Sequence, residues 1–216
     1  MTLPGNKDYA PTKIGVSSAD NVGAATGTMA ITAALHHKRR TGRGQHINIS
    51  MHDVQGWMSS EAWAYLDTPG GPQRDANHHA TLAPQNLYET ADGMIVIEVE
   101  TQSHLDGAAA LLGLSTCSLD TAKSHEAEFD IAFSTWARDI TMEDAIATCD
   151  QYGVPVGKVQ SMAEIAEASH TWMREMLVEL EHPTSGPLKL LGSPFKSSQS
   201  PGVVAQTAPD IGQHTR

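Results

Sequence analysis

From Asn21 to His37 the chain carries no charged side chain, and Ala, Gly, Thr, Val and Met dominate the run. Such a stretch predicts a helix over Asp20–Arg40 that is buried on most of its surface. Asp20 stands at its start, where free N–H groups and the positive dipole end favour a carboxylate, so the plainest reading of Asp20 is an N-cap. Lys38, Arg39 and Arg40 fall in the last turn, where the dipole end is negative, and Gly42 ends the helix. Gln45–Met51 then reads as a short strand belonging to a larger parallel sheet. Asp53–Leu66 follows as a second helix, and its Trp57, Trp63 and Tyr65 suit a core or a dimer interface better than cofactor stacking.

Periodicity stops over Thr68–Pro84, where Pro69, Gly70, Gly71, Pro72, Asp75 and Asn77 mark a linker. Tyr88–Glu100 predicts a hairpin turning at Asp92-Gly93 into a β-rich strand. Helices are expected over Leu105–Leu114, His125–Arg138 and Thr141–Tyr152, the last opened by a capping box at Thr141 and Asp144. Gly153-Val154-Pro155 stops that helix ahead of a short strand, Val156–Val159. Ser161 and Glu164 open one further amphipathic helix, to Leu180, after which Glu181–Pro194 is extended and Ser197–Pro209 loose. The fold class is α/β. The expected organisation is a partial large domain over 1–68, a linker over 69–84, a small α/β domain over 85–180 and a return segment over 181–216.

A net charge of −11 argues against nucleic acid as a general partner. Cys117 and Cys149 are too few for a disulfide framework and lack metal spacing, so reduced thiols in a cytoplasmic protein are expected. Apolar runs fall short of the roughly 18–20 residues of a membrane span, and the first twelve residues lack the blocks of a signal peptide, so no membrane is expected. His78 and His79 diverge as neighbours and no spaced carboxylate or Cys completes a set. They read as loop histidines, and no metal is expected. Gly42 and Gly44 follow a helix rather than a strand, the wrong setting for a dinucleotide fingerprint.

Asp20, the small-residue helix, Arg40-Thr41-Gly42-Arg43-Gly44-Gln45, a short strand and Asp53 come in an order that resembles the family III CoA-transferases. This family includes formyl-CoA transferases, carnitine CoA-transferases and α-methylacyl-CoA racemases. Further matches are Tyr88-Glu89-Thr90-Ala91-Asp92-Gly93, then Val99-Glu100-Thr101, Gly153-Val154-Pro155 and Pro209-Asp210-Ile211-Gly212-Gln213-His214-Thr215. The resemblance implies part of the family's large nucleotide-fold domain plus its small α/β domain, and an interlocked homodimer. It also implies the C-terminal portion of a longer enzyme, because family members begin with βα units ahead of their aspartate. On this reading the chain is a truncated product or a fragment.

The resemblance places the family's catalytic aspartate on Asp20. The implied activity moves CoA between carboxylic acids through an aspartyl-CoA intermediate. Acyl-CoA and a carboxylic acid are then substrates, and no cofactor is permanently bound. The small residues Gly23, Ala24 and Gly27 would allow close approach to the helix, and the Lys38–Arg40 cations could meet CoA phosphates, although a charge-matched helix end explains them as well. Two other readings stand beside this one. An acyl-CoA racemase of the same family would use Asp20 with a carboxylate near Glu100 and a histidine ahead of Asp20. A non-catalytic fragment would keep only a dimerisation surface and the small domain.

Overall fold

The uncharged run forms helix α1 (Ser18–Thr41) in a computed structural model that describes residues 5, 6, 8–64, 66, 67 and 75–215. Ser17 holds the N-cap position, so Asp20 lies inside the first turn rather than at the cap. Gly42 closes the helix in the left-handed region, with its N–H on Lys38 O. Contrary to the expected burial, no α1 residue is buried, and Met29, Ile31 and Leu35 are each more than half exposed. Its main packing partner is α2 (Met51–Met58). One helix covers one stripe of another, which leaves the rest of an all-round apolar surface open.

Residues 43–50 take no regular secondary structure and pair with no strand, so the expected strand over Gln45–Met51 is not formed. A strand exists only through a hydrogen-bonded neighbour, and none of the described residues offers this stretch one. The expected single helix from Asp53 is instead two. Ser50 caps α2 by accepting from Asp53 N at 3.3 Å, the chain breaks at Ser59, and α3 (Ser60–Ala64) follows. Tyr65 and residues 68–74 of the linker lie outside the described residues.

The core belongs to the segment from Ala83 onward. Strands β1 (Gln85–Glu89) and β2 (Met94–Glu98) make the expected hairpin, paired Tyr88 to Ile95 and Asn86 to Ile97 on the inward face. Ile95 and Ile97 are fully buried and Tyr88 nearly so, each contributing about 1.5–3 kcal/mol on transfer from water. Helix α4 (Gln102–Leu112) is capped by Thr101, which accepts from His104 N, and ends at left-handed Gly113. A short helix α5 (Leu119–Ala122) and a 3-10 turn (Lys123–His125) lead into α6 (Glu126–Ala137). Helix α7 (Met142–Tyr152) starts at Thr141, as its capping residues predict, and stops at left-handed Gly153. Strand β3 (Val156–Lys158) lies beside β2, giving the order β1-β2-β3. Phe133 packs on Tyr88 at 5.0 Å and on Trp136 at 6.1 Å, tying α6 to the sheet.

Residues 1–157 and 158–216 form separate compact units. In the second, the long helix expected over Ser161–Leu180 breaks into α8 (Met162–Glu167), opened by the Ser161–Glu164 capping box, and α9 (Ser169–Met173). Its last residues are strand β4 (Leu177–His182), paired with β5 (Gly186–Leu191). The overturning signal is the alternation of half-buried and exposed positions along both strands, a period of two that the helical reading missed. Gly192 permits the close return, since a Cβ there would stand 1.8 Å from Glu175 O.

Candidate active site

Asp20 is the only acidic residue in the first turn of α1. Its backbone is fixed by the helix start, where Asn21 N donates to Ser17 O at 3.0 Å. Ser18 Oγ, one turn-edge away, donates to Gln55 Oε1 at 3.1 Å and pins the helix start to α2. The Asp20 side chain is exposed and makes no hydrogen bond or ion pair with any described residue. It is a carboxylate in the first turn of a long helix, with its oxygens uncommitted.

The other expected participants are not gathered around it. Lys38, Arg39 and Arg40 occupy the far end of α1, about 30 Å away at 1.5 Å per residue. They match the negative end of the helix dipole there. Gly23 and Gly27 face Met51 and Ile49, but a Cβ on either would meet them at 3.7 and 3.8 Å, ordinary contact. Packing among the described residues therefore does not require glycine at either position. Glu100 is exposed at the end of the hairpin, where its N–H donates to His104 Nδ1 at 3.4 Å.

Several motif residues serve the fold. Tyr88 is buried with its hydroxyl on Asp130 Oδ1 at 2.6 Å, and burial followed by that partner raises the phenol's pKa. Asp92 accepts from Met142 N at 2.7 Å and from Thr90 Oγ1, fastening the hairpin turn to the start of α7. Gly93 leaves room for Met142, whose Sδ would stand 2.7 Å from a Cβ. Gly153 takes a φ of +67° as the C-cap of α7, and Gly212 takes +79° in the closing turn.

His79 is a loop histidine as expected, its Nδ1 accepting from Thr81 N and Leu82 N. His78 is more than that. Asp75, His78 and Glu126 bring three donor atoms within 4.8 Å of one another. The Lys123 ammonium stands against both of those carboxylates and supplies the cation, so the group is an ion-pair cluster rather than a metal-ligand set. Sequence reasoning missed it because Asp130 and Lys123 lie 44 or more residues from the linker they meet. On α2 and α3, exposed Trp57 and Trp63 flank an open groove floored by Gly56, whose carbonyl accepts from Trp63 Nε1 at 2.8 Å.

The described geometry is that of an α/β chain with an uncommitted carboxylate in the first turn of a long small-residue helix. The particular family follows from comparison: the model for CoA-transferase family III matches residues 1–215, and the chain belongs to that family. It is 29% identical to the succinyl-CoA–D-citramalate CoA-transferase of Chloroflexus aurantiacus, an alignment covering 99% of this chain and 56% of that protein. It is 28% identical to the succinate–glutarate CoA-transferase of Agrobacterium fabrum, with the same coverage of each. A CaiB/BaiF family protein from Brucella suis has the same fold, with a TM-score of 0.78 at 24% identity over 99% of this chain and 57% of its own. The chain spans about half the length of the curated relatives it matches. Among the described residues no helix is long and apolar enough to cross a membrane.

Proposed function

We propose that this chain carries the nucleophile-bearing part of an enzyme that moves CoA between two carboxylic acids, with Asp20 as the nucleophile. The observation that carries the reading is the uncommitted carboxylate in the first turn of α1, in a chain matched almost throughout by the CoA-transferase family III model. An Asp20 oxygen attacks the acyl carbonyl of the donor thioester, the C–S bond breaks, and a mixed anhydride and CoA thiolate result. The thiolate then attacks the Asp20 carbonyl carbon, releasing the first acid and leaving an aspartyl-CoA thioester. The acceptor carboxylate attacks that thioester, CoA thiolate leaves again, and its attack on the new anhydride yields the product thioester and restores Asp20. The thioester energy is conserved throughout, and no redox cofactor takes part.

The names of the relatives suggest succinyl-CoA as donor and a dicarboxylic acid as acceptor. A second copy of the same chain is the proposed partner, meeting it in part through the Trp57–Trp63 surface. The test is transfer of labelled CoA from succinyl-CoA to glutarate, mesaconate or citramalate by the complete protein. Asp20→Ala should lower the rate by at least about a thousandfold, and Asp20→Asn nearly as much, because shape is kept and nucleophilicity lost. Mass spectrometry of a hydroxylamine-quenched reaction should find the hydroxamate on the peptide containing Asp20. Full activity in either variant, or a hydroxamate on another residue, would overturn the assignment.

A further inference from the structure

One cluster of charges joins the described end of the linker to the bundle of residues 85–157, and neither the proposed reaction nor the apolar core accounts for it. His78 lies between two carboxylates: Nε2 is 2.8 Å from Asp130 Oδ2 and Nδ1 is 3.5 Å from Asp75 Oδ1. Neither neutral tautomer serves both, because each leaves one nitrogen lone pair against a carboxylate. Only the imidazolium presents an N–H toward both, donating to Asp130 and standing in ion-pair range of Asp75. Asn86 Nδ2 stands 2.9 Å from Nε2 and 3.3 Å from Asp130 Oδ1. It can donate to Nε2 only when that nitrogen is bare, and in the imidazolium it donates to Asp130 alone, so this one contact opposes the proton that the two carboxylates favour.

The charged and titratable surroundings favour the proton. Helix α6 presents Glu126 and Asp130, β1 presents Tyr88, and β2 presents Glu98 at the edge of the same shallow depression. From the segment itself come Asp75 and His79. The fixed cation facing them is Lys123, which donates to His79 O at 2.7 Å and touches Asp75 at 3.5 Å. Burial of the ring opposes protonation, but the Asp130 hydrogen bond and the charges of Glu126, Asp130 and Asp75 outweigh it and raise the His78 pKa above 6.5.

We propose that His78 is a proton-operated latch: as the imidazolium it fastens Asp75–Leu82 to helix α6, and as the neutral ring it releases the Asp75 end. That end yields first because its contact is the longer one and its carboxylate the more exposed, 43% against 22% for Asp130. Ala76 beside it is held at a φ of +52°, a left-handed conformation that disfavours non-glycine residues and relaxes once the hold is lost. Because the folded pKa is raised, the hold is complete below about pH 6.5 and disappears as pH climbs through the folded value.

Amide hydrogen exchange of the 216-residue chain between about pH 6 and pH 8.5, corrected for intrinsic rates, tests the latch. Protection at His78 N, which donates to Asp75 O at 2.9 Å, and at Ala76 N should fall several-fold as pH rises. Protection in β2 should stay level. In His78→Gln the fall should vanish, and His78→Lys should keep protection at the high end. The same fall in His78→Gln, or no fall in the unmodified chain, overturns the proposal. Should His78→Gln not fold, the imidazole titration of the unmodified chain by NMR decides: a midpoint differing from that of the protection change refutes the latch.

Discussion

Replacing Gly107 with Ala sets two well-known effects against each other, and the structure says which wins. Within α4, Ala is favoured over Gly by about 0.5–1 kcal/mol because it loses less backbone entropy. A Cβ at 107, however, would stand 2.1 Å from Tyr152 O, 3.2 Å from its carbonyl carbon and 3.4 Å from Val154 Cγ2. The first distance falls short of van der Waals contact by more than about 1 Å. The obstacle is backbone at the closed end of α7, held by Gly153 N on Asp150 O and Val154 N on Cys149 O. It cannot swing aside as a side chain would. Helix α4 must move off α7, loosening buried Leu105, Ala108 and Ala109. Overpacking of this kind costs about 1–3 kcal/mol, and a backbone obstacle puts the cost at the upper end. After the propensity gain, Gly107→Ala should destabilise by about 2 kcal/mol, lowering the melting midpoint by about 4–8 °C. Thermal unfolding followed by circular dichroism measures this, with exposed Ala110→Gly on the same helix reporting propensity alone. A Gly107→Ala midpoint at or above that of the unmodified chain, with Ala110→Gly showing its ordinary loss, would refute the reasoning.

Burial, followed by the neighbouring Asp150, pushes the Cys149 thiol up to about 11, so at pH 8 a thiol-specific reagent should label half-buried Cys117 and spare Cys149 until the bundle unfolds, as peptide mapping can check. Because Asp20 has no described partner, Asp20→Ala should change stability to thermal unfolding by no more than about 0.5 kcal/mol, while abolishing the proposed activity. The 216-residue polypeptide by itself should bind a hydrophobic dye and self-associate through α1. Charged substitutions at Met29 and Ile31 should reduce both, and a dye-negative, monodisperse monomer would contradict this.

How much was legible follows from where each signal lay. The hairpin turning at Asp92-Gly93, the Thr141 start of α7 and the Gly153 stop were readable because caps and turns are short-range chemistry, written within four or five residues. The long α1 was readable from its missing charges, but not its exposure, since burial depends on what else covers it. Strand β4 was misread because Ser161 and Glu164 signalled a helix start, and nothing nearby signalled that the helix ends within two turns. Asp20's position at the start of the long helix was legible from where the uncharged run begins. The His78 cluster was not, because its partners come from a helix some fifty residues on.

Within residues 1–157, stability and the proposed chemistry reside in different segments. From residue 18 to residue 64, Val54 is the only described residue that is buried, whereas the hairpin and α4–α7 enclose a continuous apolar core. A 24-residue helix holding one neighbour gains little from propensity alone, since helical stability in proteins comes chiefly from tertiary packing. Among the described residues the Asp20 helix packs chiefly on α2, while the bundle encloses a continuous apolar core of its own. Under this division, substitutions in the bundle should act on melting and substitutions at Asp20 on the proposed turnover, and the Asp75–Leu82 segment is fastened to α6 by the His78 contacts. The proposed His78 latch would then act on how firmly that segment is held to α6, without altering the apolar core.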